Sequence, residues 1–212
     1  MKINNPKYIS YYIDGNFEFI LTQIYNCYKK MLRDFDFIEN NENKIKNKLY
    51  RDYLDRQEII DELKLNDFRF RTEAGYVDEN YNEIGYSDIE VIDLKSSLKN
   101  KDSYYVIECK RIDGANSHYQ SSLNNKYVKE GIDRFIEEKY PTNMKVNGML
   151  GFIVRSIDIH DNTQFFSDLK NYKFIQDFEY SYRSEHTSKS NKKLTLYHLM
   201  LDFSSKINPT SN

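Results

Sequence analysis

Apolar residues along the chain follow a helical spacing in some stretches and an extended alternation in others. Over residues 17–32 they recur every three or four positions, which predicts an amphipathic helix. We expect residues 1–15 to form an irregular or short extended lead-in to it. A second helix is predicted to begin near Glu42, with Asn40 or Asn41 as its N-cap.

Strand patterns occupy the middle of the chain. Residues 66–75 alternate phenylalanine and threonine with arginine and glutamate, which predicts a half-buried strand. Two further runs, SDIEVIDL at 87–94 and SYYVIECK at 103–110, flank a polar, lysine-rich insert. We interpret these two runs as the strands of a β-hairpin.

Helix and strand patterns alternate again in the second half. Residues 127–140 predict a helix that Pro141 ends. Gly131 inside it costs about 1 kcal/mol relative to alanine, which indicates close approach of a neighbouring backbone. The remaining patterns predict a buried strand, a short helix and two final strands, at 146–157, 161–172, 173–188 and 192–205.

The composition indicates the class of protein but does not indicate a binding partner. A chain of 212 residues fits one domain, which we divide into a core of about 40–155, a C-terminal extension with strands at 156–204 and a tail at 205–212. Lys+Arg 31 against Asp+Glu 33 gives a net charge of -2, which neither favours nor excludes nucleic acid. Two cysteines are too few for a disulfide framework. With no signal-peptide pattern and no apolar run of ~18 residues, we expect a cytoplasmic protein without a membrane partner.

The predicted hairpin brings together side chains that suit metal chemistry. Pairing of its strands places Asp88 beside Glu108, and strand alternation puts Glu108 and Lys110 on one surface with Cys109 on the apolar face opposite. Mg²⁺ commonly binds one or two carboxylates plus water and substrate phosphate. A lysine beside such an ion can orient or deprotonate the attacking water, or stabilise transition-state charge. An ordinary cross-strand ion pair is the structural alternative.

Asp88 followed by Glu108-Cys109-Lys110 resembles the motif of the PD-(D/E)XK nuclease superfamily, which has the restriction-endonuclease-like fold. Ser87 stands where the name of the motif would place proline. The segments ECKR, YVKEGIDRFIEEKY and GMLGFIV also resemble small bacterial nuclease-like proteins of this superfamily. The resemblance covers roughly residues 40–155. It implies an α/β fold with a central mixed β-sheet flanked by helices, here with an added N-terminal helix and a C-terminal β-hairpin.

The resemblance also implies roles for individual residues. Asp88 and Glu108 would bind Mg²⁺, for which Mn²⁺ can substitute, and the backbone carbonyl of Cys109 would be a further ligand. Lys110 would assist the attacking water. These roles imply a Mg²⁺-dependent nuclease that hydrolyses phosphodiester bonds, with DNA as the expected substrate and RNA not excluded.

Other acidic residues are candidates for completing the site. Glu42 shares the apolar stripe of the second predicted helix, and the first core helix of the resembled superfamily often carries a metal-binding glutamate. A first-turn glutamate favoured by the helix dipole is an equal alternative for Glu42, and the same dipole explains Glu18. Whether Glu42 or Glu18 completes the metal site stays open. Glu90 is expected on the side of Asp88, either supporting the site or pairing with Lys110.

Basic residues supply candidate contacts to nucleic acid. Lys126, Lys129 and Arg134 lie at the start and on the flank of the predicted helix, where they can meet phosphates or form ordinary surface charge. His118 and Gln120, in the preceding loop, are further possible contacts. The alternative function is a catalytically weak or inactive nucleic-acid-binding or interaction subunit of a defence or restriction complex. A homodimer or a larger defence complex is compatible with either function.

Overall fold

The computed structural model describes residues 6–77, 80–100, 103–114, 122–140, 144–166 and 168–207, with side chains from residue 14 onward. Within these residues the chain forms a seven-stranded mixed sheet flanked by helices. The α-helices are α1 (Pro6–Asp34), α2 (Glu42–Leu49), α3 (Gln57–Glu62), α4 (Leu94–Ser97), α5 (Leu123–Tyr127), α6 (Asp133–Ile136) and α7 (Ile159–Thr163). The strands are β1 (Phe68–Val77), β2 (Glu83–Asp93), β3 (Tyr104–Ile112), β4 (Val146–Ile153), β5 (Lys170–Asn171), β6 (Ser181–Thr187) and β7 (Lys193–Asp202).

The strand order is β1-β2-β3-β4-β7-β6-β5. The pairs β1–β2 and β2–β3 are antiparallel, β3–β4 and β4–β7 are parallel, and β7–β6 and β6–β5 are antiparallel. Every residue of β4 is buried, as expected for a strand with parallel neighbours on both sides. The two predicted final strands form the antiparallel pair β6–β7, and β7 joins the same sheet through β4.

Alternate residues of β3 belong to two hydrophobic cores, which lie on opposite faces of the sheet. Tyr105, Ile107 and Cys109 belong to the core that contains α1, where the Phe17 and Tyr105 rings stack with centroids 4.8 Å apart. Val106 belongs to the other core, with apolar side chains of the helical segment 123–136. The face that carries Glu108 is therefore covered as well, and the prediction that this face lies at the surface is wrong.

The predicted helices at 17–32, near 42 and at 127–140 are confirmed with changed boundaries, whereas the short helix predicted at 161–172 is wrong beyond residue 163, because β5 lies at 170–171. Since α1 begins at Pro6, the lead-in expected over residues 1–15 is wrong for residues 6–15. The predicted cap of α2 is confirmed, because Asn41 Oδ1 accepts a hydrogen bond from the Lys44 backbone N–H at 3.1 Å. Residues Tyr50–Leu54 continue α2 as a π-helical turn, and Val128–Ile132 form another between α5 and α6.

Gly131 lies in the second of these turns and allows the helical segment to pack against the sheet. A Cβ at this position would lie 2.4 Å from Met149 Cε and 3.6 Å from Lys110 Cγ. The close approach at Gly131 is therefore made by side chains of β4 and β3, and not by a neighbouring backbone as predicted. This close packing places the segment directly over Lys110.

Some sequence predictions fall on residues that the structure does not describe, and one concerns membrane crossing. His118, Gln120 and residues 208–212 of the expected tail lie outside the described residues. In the described part of the chain, none of the helices combines the length and apolarity that crossing a membrane requires.

Candidate functional site

The β2–β3 pairing builds the centre of the candidate site. Its register runs from Ile92↔Tyr104 to Ile89↔Ile107, which leaves Asp88 at the end of the paired region beside Glu108. Asp88 Oδ2 accepts a hydrogen bond of 2.9 Å from the Cys109 backbone N–H. The predicted hairpin and the proximity of the two carboxylates are therefore confirmed.

Lys110 Nζ lies at the centre of four oxygen atoms. It is 3.0 Å from the Cys109 carbonyl oxygen, 3.2 Å from Glu42 Oε1, 3.5 Å from Glu108 Oε2 and 3.7 Å from Asp88 Oδ2. We call Glu42, Asp88, Glu108, Lys110 and the Cys109 carbonyl the acidic cluster. Side-chain exposure rises from 0% at Glu108 to 16% at Asp88 and 29% at Glu42, so the cluster is partly open to solvent at Asp88 and Glu42.

Glu42 is brought into the cluster by the start of α2. Its Oε1 faces Lys110, and its Oε2 accepts a hydrogen bond of 3.0 Å from the Arg111 backbone N–H. The Arg111 guanidinium donates to the carbonyl and the side-chain oxygen of Asn40, both at 2.9 Å, and so attaches the residues before α2 to β3. A helix-start glutamate alone does not account for these contacts.

Glu108 is held from the side of α6. The Tyr140 hydroxyl donates a hydrogen bond to Glu108 Oε1, and Arg134 Nη1 lies 3.5 Å from Oε2. Arg134 Nη2 also donates to the Tyr86 carbonyl at 3.0 Å, which fixes the guanidinium between the helix and β2. Of the three predicted basic contacts, Arg134 reaches the acidic cluster.

The other two lysines occupy different surroundings. Lys129 is exposed and forms an ion pair of 2.9 Å with Asp133 along its own helical segment. Lys126 is half-buried within α5. The structure therefore groups neither of them with Arg134 at the cluster.

Two predicted acidic candidates lie elsewhere. Glu18 is inside α1 rather than in its first turn, and its Oε1 accepts hydrogen bonds from the Tyr172 and Tyr197 hydroxyls at 3.0 and 3.1 Å. Glu90 is buried and paired with Arg71, and it accepts a hydrogen bond of 3.0 Å from the Tyr76 hydroxyl. The expected pairing of Glu90 with Lys110 is wrong, because Arg71 on β1 lies directly opposite Glu90.

Sequence reasoning missed Lys46. This residue lies on α2 one helical turn after Glu42, and its buried Nζ is 3.1 Å from Asp88 Oδ1 and 3.5 Å from Glu73 Oε1. The available signal was its position beside the apolar stripe of the helix, four residues after Glu42. Tyr140 was also missed, because a tyrosine at the end of a helix has no distinguishing pattern.

Burial and mutual charge change the pKa values in the cluster. Burial, with the charge of Asp88 added, raises the pKa of Glu108 to about 7. Burial also acts to raise the pKa of Asp88, but Lys110, the Cys109 N–H and Lys46 together lower it below the ordinary value. Burial disfavours the Lys110 ammonium, yet the surrounding carboxylates outweigh it and raise the pKa of Lys110. At neutral pH, Lys110 is therefore a protonated donor in this arrangement.

The oxygen atoms of the acidic cluster are of the kind that Mg²⁺ binds. Their spacing, however, fits the Lys110 ammonium that they surround. Three carboxylates and a carbonyl supply the oxygen ligands that hard cations prefer. Their distances of 3.0 to 3.7 Å from Lys110 Nζ exceed the ~2.1 Å of Mg²⁺ coordination. Across the described ranges, no three His, Cys, Asp or Glu residues are arranged as a ready metal cage. Binding of an ion between these oxygens therefore requires Lys110 Nζ to withdraw from the centre.

A second buried polar cluster lies on β6 and β7. His198 is contacted by the Tyr127 hydroxyl at Nδ1 and by the Ser184 hydroxyl at Nε2, both at 2.8 Å, and Ser184 also contacts His186 at 2.7 Å. We call these four residues the histidine network. Burial lowers the pKa of His198 to about 3, so its ring is neutral at physiological pH.

The chain matches no protein-family model, and comparisons with curated proteins and with solved structures found no match. Functional inference therefore depends on the residues of the acidic cluster and their geometry.

Proposed function

We propose that this protein is a divalent-metal-dependent nuclease that hydrolyses phosphodiester bonds, with DNA as the expected substrate. The observation that carries the proposal is the convergence of Glu42, Asp88 and Glu108, from three different elements, around one lysine in a partly open cluster. Burial and the charge of Asp88 raise the pKa of Glu108, and groups with strongly shifted pKa values concentrate at functional sites.

Stability alone is a poor explanation for the cluster. Exposed ion pairs contribute about 0–1 kcal/mol, and the desolvation penalty of buried pairs can exceed the Coulombic gain. The side chains of Lys110 and Glu108 are at most 9% exposed, so both charges are removed from most of their water. A role in binding or catalysis explains why such residues are kept together.

In this proposal Asp88, Glu108, Glu42 and the Cys109 carbonyl would hold Mg²⁺, for which Mn²⁺ can substitute. The bound ion would acidify a water molecule and offset phosphoryl charge. The Lys110 ammonium would orient the attacking water or stabilise the charge that develops on the phosphate, because its raised pKa disfavours a role as proton acceptor. Arg134, at the same cluster, would bind a phosphate oxygen.

The proposal extends to the fold family. The described core runs from α2 through the antiparallel strands β1, β2 and β3, then through the helical segment 123–136 to the parallel strand β4. This order, with the acidic residues at the end of the β2–β3 pairing, is what the resemblance to the restriction-endonuclease-like core implies.

The test is cleavage of plasmid, linear DNA and RNA by wild type, Lys110→Met and Lys44→Met, with Mg²⁺, Mn²⁺ or EDTA. Lys44 is a matched control, since it lies on α2 but is exposed. We expect metal-dependent cleavage of DNA by wild type and Lys44→Met, and a loss of at least ~100-fold in Lys110→Met.

Equal cleavage by all three proteins would indicate a contaminating nuclease and overturn the proposal. A metal-dependent rise in melting temperature without cleavage of any substrate would instead favour the inactive binding subunit. Cleavage of RNA alone would keep the reaction and correct the substrate.

A further inference from the structure

We propose that Lys46 is a positioning residue of the acidic cluster, which holds Asp88 so that its Oδ2 faces the Cys109 amide and Lys110. This inference rests on the proposed metal-dependent nuclease function, because it assigns Lys46 to the same site. The resemblance identified only the motif residues and Glu42, and Lys46 lies outside that set.

The two oxygens of Asp88 have separate partners. Oδ1 contacts Lys46 Nζ at 3.1 Å, whereas Oδ2 contacts the Cys109 N–H at 2.9 Å and lies 3.7 Å from Lys110 Nζ. A carboxylate held at both oxygens cannot rotate about its last bond without losing a contact. Lys46 therefore fixes the outer oxygen while the inner one faces the centre of the cluster.

Lys46 is the only buried lysine among the three on α2. Its side chain is 2% exposed, whereas that of Lys48 on the same helix is 31% exposed, and Lys44 is exposed. Lysine is almost never fully buried unless it is paired, and replacing a buried ion pair with apolar residues is often neutral or stabilising. Fold stability therefore does not explain why this position carries an ammonium group.

Glu73 supplies a second, independent observation. Thr72↔Ile89 and Ala74↔Ser87 are paired on either side of it, so Glu73 occupies the β1 position opposite Asp88. Its backbone φ is 54°, a left-handed conformation inside a strand, and its Oε1 lies 3.5 Å from Lys46 Nζ. Strained backbone of this kind costs about 1–3 kcal/mol and clusters at functional sites. Glu73, Lys46 and Asp88 thus form a charge-alternating chain that ends at the cluster.

Removing the Lys46 ammonium has two opposite effects on an ion bound at Asp88. Loss of its positive charge favours the ion, whereas loss of the contact to Oδ1 frees the carboxylate to rotate. Residues that orient a metal ligand typically change metal affinity or activity by about 10- to 100-fold. We expect the loss of orientation to outweigh the loss of positive charge, because the Lys46 contact at Oδ1 leaves Oδ2 for the Cys109 N–H.

The experiment compares wild type, Lys46→Met, Lys46→Arg and Lys44→Met. Melting temperatures without metal check folding, and the Mn²⁺ concentration that gives half of the maximal thermal shift measures binding independently of cleavage. We expect this midpoint to rise about tenfold in Lys46→Met, with slower cleavage at saturating Mn²⁺. Lys44→Met should match wild type, and Lys46→Arg should recover most of the loss because it keeps a cationic donor.

An unchanged or lower Mn²⁺ midpoint in folded Lys46→Met overturns the positioning role and leaves the proposed nuclease function intact. A wild-type protein without any Mn²⁺ response overturns the proposed function and this inference with it. If Lys46→Met does not fold, Glu73→Gln serves instead, since the Glu73 side chain is 63% exposed. Its midpoint should rise, because Lys46 Nζ loses the Glu73 carboxylate that helps to hold it at Asp88, and an unchanged midpoint overturns the inference.

Discussion

The acidic cluster and the histidine network are both buried polar groups on one sheet, and they differ in charge and in access. In the histidine network the two ring nitrogens of His198 are each matched by a hydroxyl, and the depressed pKa keeps the ring neutral. In the acidic cluster three carboxylates surround one ammonium, and Glu42 and Asp88 remain partly exposed. A neutral, closed network stabilises a fold, whereas concentrated charge with an opening favours a role in chemistry.

The two regions also differ in how their polar groups are supported. The histidine network consists mainly of residues on the neighbouring strands β6 and β7, joined by Tyr127 from α5. The acidic cluster is assembled from α2, β2 and β3 and is contacted by Arg134 and Tyr140 at α6. Both regions join three elements, so the difference lies in the charges: the acidic cluster gathers three carboxylates around one ammonium, whereas the histidine network is built from neutral groups.

Glu108→Gln is expected to have the largest effect and separates the two regions most sharply. Glutamine keeps the shape of the side chain but removes the deepest carboxylate, so metal-dependent cleavage should fall at least ~100-fold. Stability without metal should be unchanged or higher at pH 7, because the raised pKa of Glu108 means that the folded protein disfavours its ionised form, which glutamine lacks. His198→Gln should instead leave cleavage within about threefold at a temperature where the variant is folded. Parallel losses of cleavage in both variants would remove the distinction.

The pH dependence of stability should reveal the histidine network. The pKa of His198 is about 3 in the folded protein against 6.5 for an ordinary histidine. Above pH 6.5 its contribution is complete; as the pH falls further, the unfolded chain takes up a proton that the folded protein excludes. Taken alone, His198 should therefore lower the free energy of unfolding by about 3 kcal/mol between pH 6.5 and pH 4.5. The raised pKa of Glu108 acts in the opposite direction over this range, so the His198 effect is read as the difference between wild type and a variant without the histidine.

Urea unfolding of wild type and His198→Gln between pH 7 and pH 4.5 measures this effect. The variant lacks this titrating group, so the wild-type free energy of unfolding, minus that of the variant, should fall by about 3 kcal/mol from pH 6.5 to pH 4.5 even if the variant is less stable throughout. Identical slopes in the two proteins would show that His198 does not titrate in this way.

Ser184→Ala should have a smaller effect, confined to stability. The substitution leaves a ring nitrogen of His198 without its hydroxyl partner, which costs about 1–3 kcal/mol for a buried group. Thermal or urea unfolding measures this loss, and the Mn²⁺ midpoint of the acidic cluster should not change. A changed midpoint would show that the two clusters are coupled through the sheet.

Local patterns were sufficient for the centre of the candidate site. The cap at Asn41 depends on one side chain and the next turn of backbone, and the β2–β3 hairpin depends on two neighbouring alternating runs. These short-range features brought Asp88 beside Glu108 and placed Glu42 at a helix start. Each was accessible from the sequence because its cause lies within about twenty residues of the chain.

The supporting residues depend on long-range packing that local patterns do not encode. Lys46 is buried because α2 packs close to Asp88, 42 residues further along the chain. Glutamate is not a residue type that marks left-handed backbone, so the φ of Glu73 had no signal. The sheet face that carries Glu108 was predicted to be exposed. It is buried because the helical segment 123–136 packs closely against it at Gly131.

The most direct test of the central claim, that the acidic cluster binds a divalent cation, is the melting temperature with and without Mn²⁺ for wild type, Asp88→Ala and His198→Gln. Binding at a 100-fold excess over Kd stabilises a protein by about 2.7 kcal/mol, a shift of several degrees for a chain of this size. We predict this shift in wild type, its loss in Asp88→Ala, and its retention in His198→Gln despite a lower starting temperature. No shift in wild type, or an equal shift in Asp88→Ala, would contradict the claim.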